Sequence, residues 1–104
     1  MKTLENLTKD ERFLLLFCEC ACVDHGGIYQ SERTNDEDRQ ILARWKEEGF
    51  CDFGRVASEH LTPTRKVWVH LSPEAMSLAH QLRLQRAERM WQNRNWWSTE
   101  EKRA

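Results

Sequence analysis

The apolar positions of this chain fall into four blocks, with helical spacing in the first, second and fourth and strand-like alternation in the third. The first block, Phe13-Leu14-Leu15-Leu16-Phe17-Cys18 and on to Cys22 and Val23, is apolar on nearly every side, which predicts a central helix. It opens at Thr8-Lys9-Asp10-Glu11, where the Thr8 hydroxyl can accept the Glu11 N–H while the Glu11 carboxylate accepts the Thr8 N–H. Gly26 and Gly27, free to turn left-handed, close it, so the helix is expected over 8–24. Ile28-Tyr29-Gln30 reads as a very short strand or a connection, and Ser31-Glu32-Arg33 is polar with no period. A second capping box at Thr34-Asn35-Asp36-Glu37 opens a helix over 35–48, with Ile41, Leu42 and Trp45 at helical spacing and Gly49 as its stop.

Beyond Gly49 the period becomes two. Phe50, Phe53 and Val56 precede a polar stretch, after which Val67, Val69 and Leu71 alternate with Trp68 and His70. This predicts a β-hairpin over 50–71 with a long tip containing His60 and Pro63. Trp68 and His70 belong to its outer face, where the indole either packs under the next helix or marks a contact surface. Ser72-Pro73-Glu74 supplies an N-cap and a proline at the first helical position of a helix over 73–95. At 100° per residue that helix carries two apolar stripes. Ala75, Leu78, Ala79 and Leu82 form one; Met76, His80, Leu84, Ala87 and Trp91 form the other, on the opposite side. A small domain buries one side of a peripheral helix, so the second stripe is expected to meet another protein surface. Trp96 and Trp97 follow, then a charged tail over 98–104.

A length of 104 residues predicts a single domain over 1–104. With 39% hydrophobic and 32% charged residues the chain is too apolar for a disordered segment and too charged for a membrane protein. The most apolar run, 13–23, contains Glu19 and follows Asp10, Glu11 and Arg12, so it serves neither as a membrane span nor as an export signal. The expected location is the cytoplasm. Net charge is −1, but residues 1–54 hold seven Lys/Arg against twelve Asp/Glu, and residues 55–104 hold nine against five. A nucleic-acid role therefore depends on where the charges sit and not on their sum.

The order of elements, mainly α with a small β-hairpin (α+β), resembles a winged helix-turn-helix domain, and is closest to the MarR-type transcriptional regulators. Leu42-Ala43-Arg44-Trp45-Lys46-Glu47-Glu48-Gly49-Phe50 looks like the end of a recognition helix leading into a wing. Val69-His70-Leu71-Ser72-Pro73-Glu74-Ala75 looks like the return strand of that wing entering the next helix. The likeness covers residues 35–82, about half of the chain. It implies a dimeric DNA-binding regulator whose flanking helices build the homodimer.

Four cysteines, Cys18, Cys20, Cys22 and Cys51, lack a C-x₂-C knuckle, and Cys18 and Cys22 lie one turn apart on an apolar helix. They read as small buried hydrophobes without metal. His25, His60, His70 and His80 share no spacing with a nucleophile, and no phosphate-binding glycine loop is present. No enzymatic activity and no cofactor are expected. The expected function is a cytoplasmic regulator that grips duplex DNA through Arg39, Gln40, Arg44, Arg55, Arg65 and Lys66 and dimerises through the second stripe of its last helix. The alternative is a winged-helix adaptor or inhibitor, of the kind that small phage proteins often are. It would hold a basic protein surface through Asp36, Glu37 and Asp38 and use Trp91, Trp96 and Trp97 as further contacts, with no DNA bound.

Overall fold

A computed structural model describes residues 2–57 and 65–93. Its elements in chain order are α1 (Lys9–Asp24), β1 (Ile28–Gln30), α2 (Asp36–Glu47), β2 (Cys51–Arg55), β3 (Lys66–Leu71) and α3 (Pro73–Gln92). Single 3₁₀ turns at Leu4–Asn6 and Ser31–Arg33 precede α1 and α2. The fold is mainly helical with one small antiparallel sheet, an α+β arrangement.

Local chemistry accounts for the ends of the helices. The Thr8–Glu11 box forms as expected, with both reciprocal bonds at 3.1 Å. At the other end of α1, Gly26 and Gly27 take φ of 64° and 81°, and the Gly27 N–H reaches the Ala21 carbonyl at 2.8 Å. Gly27 has a second constraint: its carbonyl accepts the Val69 N–H at 2.7 Å, and a Cβ there would sit 3.1 Å from the Val69 carbonyl oxygen. The end of α1 is thereby fastened to the middle of β3. At α2 the cap lies one residue later than the sequence pattern suggested. Asn35 accepts from the Asp38 N–H and Asp38 accepts from the Asn35 N–H, because the Thr34 hydroxyl is instead donated to the Ser31 carbonyl at 2.9 Å. Gly49, at φ 74°, lets the Phe50 N–H return to the Trp45 carbonyl, and the two rings pack edge to face 5.1 Å apart. This is the hydrophobic contact that accompanies a left-handed helix stop.

The region 28–30, ambiguous in sequence, is a strand. β1 pairs with β3 through Ile28↔Trp68, Tyr29↔Val67 and Gln30↔Lys66, and β2 pairs with the other edge of β3 through Cys51↔Leu71 to Arg55↔Val67. The sheet order is β1-β3-β2, all antiparallel. Val69 is fully buried, with Val67 and Leu71 half-buried against the core. Trp68 lies outward, over Gly54 and beside His70, its ring centroid 5.6 Å from the imidazole. It does not pack under α3.

The core joins Leu14, Leu15, Cys18 and Ala21 of α1 to Leu42 and Trp45 of α2, Phe50, Val69, and Ala75, Leu78, Ala79 and Leu82 of α3. The first stripe of α3 is thus the buried one. Leu4 and Leu7 also join the core, burying the segment ahead of α1. α1 is not covered all round: Phe13 is 52% and Val23 63% exposed. The sheet, α2 and the first half of α3 cover only part of its circumference. α3 ends at Gln92 with Asn93 as its C-cap, short of the expected 95; residues 94 and 95, like His60, Trp96, Trp97 and the tail, lie outside the described residues.

Candidate functional site

Between the turn that precedes α2 and the base of the β2–β3 hairpin runs a groove of about 360 Å³, lined in part by Tyr29, Thr34, Phe53, Arg39, Arg55 and Arg65. Three elements bring its arginines together. Arg55 ends β2, opposite Val67. Arg65 immediately precedes β3, and its carbonyl accepts the Ser31 N–H at 2.9 Å, tying the hairpin base to the 3₁₀ turn. Arg39 lies in the first turns of α2 and reaches back across the cap. Its guanidinium donates to Asp36 Oδ1 at 3.0 Å and to the Thr34 carbonyl at 3.2 Å, while half of the side chain remains exposed. Lys66 follows Arg65 and is exposed. Tyr29, at the groove wall, has its phenol pushed up to about 12, first by burial, so it stays a neutral donor.

Of the six basic or polar residues expected to contact nucleic acid, Arg39, Arg55 and Arg65 share this groove, whereas Lys66, between the lining residues Arg65 and Val67, is not part of the lining. Gln40 is exposed on α2. Arg44 is engaged elsewhere: it donates to Glu11 Oε2 at 3.0 Å. Glu11 is itself nearly buried, 7% exposed. Burial alone would raise its pKa, but the bonds to Thr8, the Arg44 charge and the nearby Trp45 indole together hold it below the usual value. The Trp45 N–H is buried without a hydrogen-bond partner.

The three carboxylates at the start of α2 are not equivalent. Asp36 pairs with Arg39 and Asp38 caps Asn35, while Glu37 is exposed. All three suit the positive end of the helix dipole. On α3, His80, Leu84, Ala87 and Trp91 are exposed, with Leu84 at 56% and Trp91 at 65%; Met76 at the head of this stripe is half-buried. Cys18 and Cys51 are buried and Cys20 and Cys22 partly so. Burial raises the Cys18 and Cys51 thiols, Cys51 to about 11, which makes both poor nucleophiles. Among the described residues, no three His, Cys, Asp or Glu side chains are grouped to hold a metal ion, and no helix is long and apolar enough to cross a membrane.

The Glu11–Arg44 link joins residues 33 positions apart, and neither helix pattern contained a signal for it. The same holds for the meeting of Arg39, Arg55 and Arg65, which come from three separate segments.

The fold and this groove define the class: an α+β domain with three helices and three strands among the described residues and a cationic cleft beside its hairpin. Comparison with family models, with curated proteins and with solved structures finds no match for this chain.

Proposed function

We propose that the protein is a winged-helix nucleic-acid-binding regulator, dimeric and cytoplasmic, in which α2 is the reading helix and the β2–β3 hairpin the wing. The observation that carries this reading is the convergence of Arg39, Arg55 and Arg65 on one groove. A duplex backbone lying between helix and wing would place phosphate oxygens there, and guanidinium groups bind phosphate in a bidentate manner. The winged reading is supported by the sheet order β1-β3-β2, which sets a strand from before α2 alongside the hairpin. A helix-turn-helix normally has a further short helix before the reading helix; this chain has the 3₁₀ turn Ser31–Arg33 in that place. The exposed Leu84 and Trp91 on α3 support the homodimer.

One observation favours the adaptor reading instead. Arg39 is already partnered by Asp36 and Arg44 by Glu11, so the exposed start of α2 keeps an acidic excess that opposes phosphate and suits a basic protein surface.

The test is anisotropy of a labelled generic duplex at low salt, where phosphate-driven binding is strongest. Saturable binding is expected, with Arg55→Ala plus Arg65→Ala weakening it on all duplexes and lowering the salt slope by about two. Asp36→Asn, Glu37→Gln and Asp38→Asn together should strengthen it. No binding at low salt overturns the nucleic-acid reading.

A further inference from the structure

α1 and α3 pack antiparallel. Arg83 meets Glu19 and the Leu16 carbonyl, and three residues further on Arg86 meets the ring of Phe13. Up to Leu82 the face of α3 turned toward α1 is apolar and buried; beyond it the same face continues as Gln85, Arg86 and Arg89, all exposed. Opposite them α1 presents Lys9, Arg12 and Phe13. The helices therefore enclose a groove of about 510 Å³ whose apolar part is Phe13, Leu16 and Leu82 and whose rim, among the described residues, carries four cations and one carboxylate, Glu88.

This rim is electrostatically unbalanced. Lys9 and Arg86 both gather over the Phe13 ring, at 5.9 and 5.8 Å, and Arg12 is turned to the Leu4 carbonyl at 2.7 Å. Among the described residues, none of Lys9, Arg12, Arg86 and Arg89 takes part in an ion pair, although Lys2, Arg39, Arg44, Lys46 and Arg83 all do. Like charges thus face one another across an apolar floor. An occupant that brings carboxylates to the rim and apolar side chains to the floor would relieve the repulsion and bury Phe13 at the same time.

We propose that the α1–α3 groove docks an acidic amphipathic helix of another protein. The length from Leu82 to Gln92 is about 15 Å at 1.5 Å per residue, close to three helical turns, and a third helix laid along two antiparallel ones completes a packed trio. A second copy of this chain fits poorly: its α3 would bring the same arginines, and of its three α2 carboxylates Asp36 and Asp38 are engaged by Arg39 and the cap, which leaves only Glu37 for four cations. A nucleic-acid backbone would match the rim but not the exposed Phe13 ring. The site shares no residue with the Arg39–Arg55–Arg65 groove and does not depend on the function assigned to it.

The probe is a labelled synthetic peptide of about fourteen residues, with Leu at coiled-coil a and d spacing and Glu elsewhere, titrated with the full chain. Saturable binding is expected. It should fall about tenfold for Arg86→Glu with Arg89→Glu and for Phe13→Ser, and be unchanged for Arg55→Ala with Arg65→Ala. All of these side chains are exposed, so thermal melts followed by circular dichroism should show the variants folded; if Phe13→Ser melts early, the arginine pair alone decides. Three results overturn the proposal: no saturable binding to the wild type, whether because residues 94–104 or a second copy fill the groove or for any other reason; equal binding of a peptide with the same residues scrambled around the helix; or capture of duplex DNA that the Arg86/Arg89 variant abolishes.

Discussion

Glu11→Gln isolates a single charge at the junction of α1 and α2. The amide keeps an oxygen for the Thr8 N–H, so the capping box loses charge rather than geometry, whereas the bond from Arg44 loses its ionic partner. Because the Arg44 side chain is 53% exposed, solvent screens the pair and its share is about 0.5–1 kcal/mol. Loss of a carboxylate at the helix start adds about 0.3–1 kcal/mol. The expected destabilisation is therefore about 1–2 kcal/mol, at about 4–8 °C in Tm per kcal/mol for a domain of this size. Glu11→Ala also removes the acceptor of the Thr8 N–H, while the Thr8 hydroxyl still caps the backbone of residue 11, and should cost on the order of 1 kcal/mol more. The Glu11 pKa is lowered in the folded state from its ordinary 4.5, so its contribution is fully present above that value and is lost as pH falls through the lower folded one. Urea denaturation of wild type and Glu11→Gln should show the difference near pH 7 and its progressive loss as pH falls below the ordinary carboxylate value of 4.5. A double-mutant cycle with Arg44→Met should return the pair term. A pH-independent difference together with zero coupling would refute the account. Under the proposed function the same substitution releases Arg44 toward solvent, so duplex affinity should rise while stability falls, a pairing that a purely structural role would not produce.

Leu84→Glu with Trp91→Glu should convert a dimer to a folded monomer in sedimentation, because both side chains are more than half exposed and lie opposite the buried stripe of α3; a monomeric wild type at tens of micromolar removes the dimer. Gly54→Ala would put a methyl group 2.8 Å from the Trp68 ring, so the indole must swing off β2 at a cost on the order of 1 kcal/mol. The Trp68 indole N–H signal should move in the NMR spectrum, and an unmoved signal would refute the stacking.

Local chemistry was legible in the sequence wherever an element is made by its own residues. The Thr8–Glu11 box, the glycine stops after α1 and α2, the Ser72-Pro73 start of α3 and the alternation around Val69 each depend on neighbours within a few positions. Those same rules placed the cap of α2 one residue early, because Thr34 and Asn35 are both good caps and the choice between them lay with a bond to Ser31. They left β1 undecided, since three residues have no period, and its strand character comes from pairing with β3, some forty positions away. The candidate sites were less legible. Arg39, Arg55 and Arg65 were each visible as cations, but their meeting in one groove, and the diversion of Arg44 to Glu11, followed only from packing α1, α2 and the hairpin on one another. The cationic groove over Phe13 left no trace in the pattern. Phe13 lies within the most apolar run of the chain, and it stays at the surface because the helix opposite turns from leucine to arginine after Leu82. Local hydrogen bonding and period are written residue by residue, whereas the side chains that face one another across helices are set by the angle and register at which those helices pack, which no short window of sequence contains.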